Sequence, residues 1–214
     1  MTYDFTEAHK GPEITNSHRY FGLYNTVLSE LPHHIVELVA EKLTEAYETS
    51  RAVLIFGNGG SAALASHFAC DLGKGTAMLS NAKRRFKAIS LTDNTPLLTA
   101  WANDTAYEYV FAEQVRNLAQ AGDIAFAISA SGNSRNVLLG LEAAREAGAC
   151  NIGIAGFNGG KMQALCDLCI VIPSNNMQIV EDFQLSVSHA LFAMVCHRIQ
   201  ARSVTVRSVA AGAV

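Results

Sequence analysis

The stretch Val53-Leu54-Ile55-Phe56-Gly57-Asn58-Gly59-Gly60-Ser61 limits what this chain can fold into. Its apolar run reads as a buried strand, its three glycines in four residues as a sharp turn, and the alanine-rich segment opened by Ser61 as a helix. Lacking Cβ atoms, the turn lets backbone come close to a ligand, and the helix aims its unpaired N–H groups into the gap. Such a gap suits an anion. A tight strand-to-helix turn is also what any parallel α/β protein needs, so on this stretch alone a phosphate loop and a plain turn are both open.

A second stretch has the same form. Ile124-Ala125-Phe126-Ala127-Ile128 leads into Ser129-Ala130-Ser131-Gly132-Asn133-Ser134, and a helical pattern follows over 136–147. Each serine hydroxyl can donate to a phosphate oxygen, and in an open α/β sheet the loops at the carboxyl ends of strands meet in one crevice. Ser134 is equally well placed to be only a helix cap.

Around these two units the pattern alternates strands with helices. Helices are expected over 17–31, stopped by Pro32, and over 33–49; the helix after the first loop spans 61–72 and ends at Gly73 and Gly75. Further strands fall at 86–91, 151–155 and 168–172, with a helix cap within 92–96, a helix over 107–120, a turn over 156–160 and a long apolar helix over 178–200. The expected architecture is a single-domain α/β three-layer sandwich on a five-stranded parallel, flavodoxin-like sheet, with extra N-terminal helices. Residues 1–34 read as an arm and helix for oligomer contacts, 35–200 as the domain, and 201–214 as a flexible tail.

Composition narrows the function classes. With 214 residues, half of them hydrophobic, the chain can bury one sizeable core, and a net charge of −3 gives no broad basic surface for nucleic acid. The cluster Lys83-Arg84-Arg85 reads as a solvated loop or a neighbour of an anionic ligand. No apolar run approaches the roughly 20 residues that span a bilayer, and the N-terminal residues do not resemble a secretory signal, so neither a membrane partner nor export is expected. Five cysteines, an odd number lying mostly in apolar segments, read as reduced core residues in a cytoplasmic protein; Cys166 and Cys169 form a CxxC without a matching pair, which argues against a zinc knuckle.

Four residues carry chemistry at helical spacing. His67 and Asp71 are four apart, on one face of their helix, and Glu181 and His189 are eight apart, nearly on one face of theirs. Two imidazoles and two carboxylates from a pair of helices are a suitable donor set for a zinc-like divalent ion. His189 is also a polar intrusion among Phe183, Leu185, Val187 and Leu191, and such an intrusion needs a partner or a task.

The run GNGGS at 57–61, with SASGNS at 129–134, resembles the sugar isomerase (SIS) family over about residues 35–200. Within it, His67-Phe68-Ala69, Ala102-Asn103-Asp104 and the distal His189 are similar to the bacterial phosphoheptose isomerases. The resemblance implies a phosphorylated sugar as partner, a homo-oligomer, commonly a tetramer, and an active site at His67, Asp71, Glu181 and His189, where some members bind metal, often zinc. It implies Asp71 as the base and His189 as its acid/base partner. Asn58 and Asp104 would hold sugar hydroxyls, Ser61, Ser129, Ser131 and Ser134 would hold the phosphate, and Gly59, Gly60, Ala130 and Glu181 complete the substrate-binding set. The chain departs from the family pattern at Asp71, where the family has glutamate, at Glu181, where it has glutamine, and at Gln178, where it has aspartate. The expected function is a sedoheptulose 7-phosphate isomerase. The alternative is a noncatalytic SIS protein that senses phosphosugars or binds a replication initiator.

Overall fold

The computed structural model describes residues 14–79 and 84–211, with side chains as far as Arg202. The arm expected before residue 14, and Lys83, lie outside the described residues. Helices α1 (Ser17–Ser29) and α2 (His33–Thr49) precede β1 (Ala52–Gly57), and α3 (Gly60–Cys70) follows it. Then come β2 (Lys87–Ser90), α4 (Thr95–Asp104), α5 (Ala112–Leu118), β3 (Ile124–Ile128), α6 (Arg135–Glu146), β4 (Cys150–Ala155), β5 (Leu168–Val171) and α7 (Met177–Ala211).

The sheet has five parallel strands in the order β2-β1-β3-β4-β5. Strand order reverses between β1 and β3, so their carboxyl ends open a crevice between two outgoing loops. Alternate side chains feed two cores. Val53, Ile55, Phe126, Ile152 and Ile154 face α1, α2, α3 and α7, whereas Leu54, Phe56, Ala125 and Ala127 face α5 and α6. The expected sandwich is the observed one.

Element boundaries differ where polar groups intervene. The helix expected over 107–120 is a 3-10 turn at Tyr107–Tyr109 followed by α5, which stops at Leu118 because the Asp123 carboxylate accepts the N–H groups of Gln120 and Ala52, each at 2.9 Å. Nor does α3 end at a glycine: after Cys70 the chain widens into a π turn, Asp71–Gly75, whose first residue is the candidate base. Asn94 is the cap of α4, accepting from the N–H of Leu97. From residue 201, where a tail is expected, the backbone continues as helix to Ala211; Arg202 reaches Glu41 and Glu48 on α2, and no glycine or proline interrupts α7 before that point.

Helix α7 organises its layer. Ile179, Val180, Phe183, Val187, Leu191, Val195 and Ile199 form a buried stripe, and Glu181, Asp182, Leu185, Ser186 and His189 face outward. Against the sequence expectation, Met177–Arg202 is long and apolar enough to cross a membrane by length and composition, but its stripe belongs to the domain core. The Tyr24 ring stacks on Phe183 with centroids 4.2 Å apart, the Tyr24 hydroxyl meets Ser186 Oγ, and the Tyr20 hydroxyl donates to Asp182, which together dock α1 on α7.

Burial, and next the bond to Asp182, push the Tyr20 phenol up from 10.0 to about 12. A phenol raised on folding lends stability that is complete below its unfolded value and is lost as pH climbs through the folded one. The difference in unfolding free energy between the parent protein and Tyr20→Phe is therefore expected to be constant below pH 10 and to shrink between pH 10 and about 12. Chemical denaturation at stepped pH measures it; a difference unchanged across that window would show that Asp182 does not hold the phenol.

Candidate active site

Two glycines bring the loops together. A Cβ at Gly57 would lie 2.6 Å from the carbonyl oxygen of Ile128, so only glycine lets the end of β1 approach the end of β3. Gly132, at φ +63°, packs its backbone on Gly159, where a Cβ would stand 2.1 Å from the carbonyl oxygen. The N–H of Met162 donates to the carbonyl of Gly132 at 2.9 Å, and that of Lys161 to Asn133 Oδ1 at 3.1 Å, fixing the loop 129–134 from outside.

Between the loops lies a crevice of about 310 Å³ lined by Asn58, Ser61, Ser129, Ala130, Ser131, Ser134, Ile128, Met177 and Glu181. Ser61 lies in the first turn of α3, Ser134 precedes α6 and Met177 opens α7, so three helix N-termini converge here. Their unpaired N–H groups and dipoles favour an anion. Ser134 stands at the cap position of α6, yet its hydroxyl caps nothing and instead meets that of Ser129 at 3.4 Å. The hydroxyl is thus available to a ligand. Among the described lining residues none is lysine or arginine, and the one ionisable group is Glu181. Its two carboxylate oxygens lie 3.4 Å from where a Cβ of Gly60 would stand, against the first turn of α3. Gly59, at φ +55°, forms the bend before that turn.

Farther along α3 and α7 a second group forms. His67 Nε2 and His189 Nε2 are 2.9 Å apart, and Asp71 Oδ2 lies 3.4 Å from the first and 3.9 Å from the second. Glu181 is not in this group; it belongs to the crevice, two turns back along α7, which corrects the four-residue donor set. Nor is His189 buried among apolar neighbours: its side chain is 52% exposed, because it lies on the outer face of α7. Asp104 closes α4, accepts from Asn103 Nδ2 at 2.8 Å and is not among the lining residues. Arg84 binds Ser50, next to the start of β1, at the end of the sheet away from the crevice.

Two positioning residues escaped the sequence reading. Asn136, buried, exchanges hydrogen bonds with Asn58 in both directions at 2.8 and 2.9 Å, and the Tyr107 hydroxyl donates to Asn58 Oδ1 at 2.9 Å. Together they lock the Asn58 amide, leaving one Nδ2 hydrogen to face the crevice. An amide at the inward position of α6's first turn was the available signal for Asn136; Tyr107 offered none.

The SIS domain model matches residues 20–156. The chain belongs to the SIS family. Among its SIS relatives are the phosphoheptose isomerases of Trichlorobacter lovleyi, 39% identical over 82% of this chain and 88% of that protein, and of Helicobacter hepaticus, 40% identical over 73% and 78%. The solved phosphoheptose isomerase of Neisseria gonorrhoeae superposes with a TM-score of 0.76 at 30% identity, covering 86% of this chain and 96% of that one. The chain sits on the phosphoheptose isomerase branch of the SIS family.

Ser129→Ala and Ser131→Ala are each expected to weaken binding of any sugar phosphate by roughly 10- to 100-fold, the scale of a hydrogen bond to a charged group. Glu181→Gln, removing a like charge, should tighten inorganic phosphate. Calorimetry with inorganic phosphate tests both directions, and affinities unaltered by all three substitutions would remove the anion assignment from this crevice.

Proposed function

We propose that the chain interconverts a ketose and an aldose phosphate, sedoheptulose 7-phosphate and glycero-manno-heptose 7-phosphate. The distance between the two parts of the site carries the substrate choice. His67 lies seven residues beyond Gly60 and His189 eight beyond Glu181, about 10–12 Å at 1.5 Å per residue. Six carbon–carbon bonds of about 1.5 Å reach at most about 9 Å, and the ester oxygen and phosphorus add two more bonds. A seven-carbon chain held by its phosphate in the crevice thus presents C1 and C2 to the histidines, and a five-carbon chain falls short. The relatives' shared activity supports the same reading.

The chemistry needs a base at the carbon next to the carbonyl, an acid at the oxygen, and shelter for the enediol. Asp71 takes the carbon-bound proton. His189 moves the proton on and off the oxygens, with His67 Nε2, 2.9 Å away, orienting its ring. The shelter comes from a second copy of the chain, since the His67 and His189 side chains are 50% and 52% exposed in one subunit and the exposed Leu185 lies one turn away. A homotetramer is the form the family resemblance implies. A cytoplasmic setting agrees with five free thiols.

The same three side chains would hold a divalent ion. A tetrahedral zinc with bonds of about 2.0–2.2 Å keeps ligand atoms about 3.4 Å apart, close to the 2.9, 3.4 and 3.9 Å among His67, Asp71 and His189. When bound, zinc would polarise the sugar carbonyl in place of the acid role of a metal-free His189, leaving the second carboxylate oxygen of Asp71 as the base. Elemental analysis of untagged protein after incubation with zinc should give one ion per chain, absent from His67→Ala and retained by Glu181→Gln; zinc that survives loss of His67 would rule out this site.

Turnover is expected on a C7 ketose phosphate well above C5 and C6 analogues, with solvent deuterium entering C1 or C2. His189→Gln should lower turnover by roughly 100-fold or more while phosphate affinity holds. A panel in which no sugar phosphate reacts would hand the site to the noncatalytic reading.

A further inference from the structure

Away from the crevice, three sulfur-bearing side chains meet over one strand. Gly153 in β4 has no side chain, and a Cβ there would lie 2.8 Å from Cys166 Sγ, 3.4 Å from Cys169 Sγ and 3.0 Å from the Cε methyl of Met162, one bond from its sulfur. Cys169 is the partner of Gly153 in the β4–β5 register, Cys166 immediately follows the 3-10 turn Lys161–Leu165, and Met162 belongs to that turn. Met162 is fully buried, whereas both cysteines are half-buried and so reachable from solvent. The two thiols bear on one another: the neighbouring Cys169, and then burial, push the Cys166 thiol up, and Cys166 in turn holds Cys169 low. The isomerase reading uses none of the three.

The donor set is soft and small. Asp167, between the two cysteines in sequence, turns its carboxylate to the N–H of Asn151, which its Oδ2 accepts at 2.7 Å. Zinc asks for four ligands, commonly thiolates or imidazoles, whereas thiolate with thioether suits monovalent copper, which is content with two or three sulfurs. Arg145, whose Nη2 donates to the carbonyl of Leu165 at 2.8 Å, brings positive charge toward Cys166.

We propose that Cys166, Cys169 and Met162 form a binding site for a thiophilic monovalent cation, Cu(I). Binding replaces two S–H protons by one Cu⁺. Both protons pass to solvent, no electrons move, and the bis-thiolate complex carries a single negative charge that Arg145 offsets.

Anaerobic titration of the full chain with Cu(I), buffered by bicinchoninate, tests the site. One equivalent should bind, and Cys166→Ser/Cys169→Ser should lose it with an unchanged circular dichroism spectrum. Cys70→Ser, Cys196→Ser and His67→Ala should keep it, and Met162→Leu should weaken it without changing the stoichiometry. X-ray absorption of the unmutated protein at one equivalent should show a sulfur-only first shell, a reading that does not depend on any variant folding. Copper retained by the double variant, or nitrogen in that first shell, overturns the site; zinc held as tightly by the same two thiols overturns the choice of cation.

Discussion

The close approach of backbone to backbone at the carboxyl ends of β1 and β3 is the contact on which the site depends. Gly57 against Ile128, and Gly132 against Gly159, leave no room for a Cβ. Because the loops touch there, the hydroxyls of Ser61, Ser129, Ser131 and Ser134 face one volume rather than two. The sheet order follows from the same region, since the reversal between β1 and β3 is what opens the gap the loops then close over.

Electrostatically the crevice offers an anion dipoles and hydroxyls rather than cations. Hydroxyls and the first turns of three helices supply partial charges in fixed directions, and no lysine or arginine among the described lining residues adds a full one. Glu181 opposes them, its carboxylate lying where the N-terminus of α3 would otherwise meet the ligand. The histidines and Asp71, two turns farther on, are kept out of this field. In the proposed function, binding at one end and proton transfer at the other would be separated along two helices that run side by side, α3 from Gly60 to His67 and α7 from Glu181 to His189.

Much of this was legible in the sequence, because strand, glycine turn and helix follow directly from local chemistry. The parallel sheet and both loops could be read from apolar runs and glycine turns, and the face shared by His67 and Asp71 from helical spacing, whereas the meeting of His67 with His189 was implied by the family resemblance. What escaped depended on contacts between distant segments. Asn136 and Tyr107 matter only because Asn58 lies 78 and 49 residues away in sequence yet within hydrogen-bonding distance. Spacing alone put Glu181 with His189 because both share a helix face, but a side chain's rotamer, here turned toward Gly60, is not encoded in that spacing. The π turn at Asp71–Gly75 was hidden because glycines at positions 73 and 75 signal a helix end equally well.

The ion pairs between α2 and α7 bear on how the chain is made. Arg198 reaches Glu37 across 161 residues, and Arg202 reaches Glu48 across 154 and Glu41 across 161. Beneath them Val36, Val39, Ala40 and Leu43 of α2 share one core with Leu191, Val195 and Ile199 of α7. During synthesis at about 5–20 residues per second, α2 leaves the ribosome several seconds before α7 exists to cover it. For that interval an apolar helix face and a half-built sheet stand open to other chains. The period of greatest exposure to aggregation is therefore set by α7, and a nascent chain stalled before it would need a chaperone's protection whatever the strength of its finished fold.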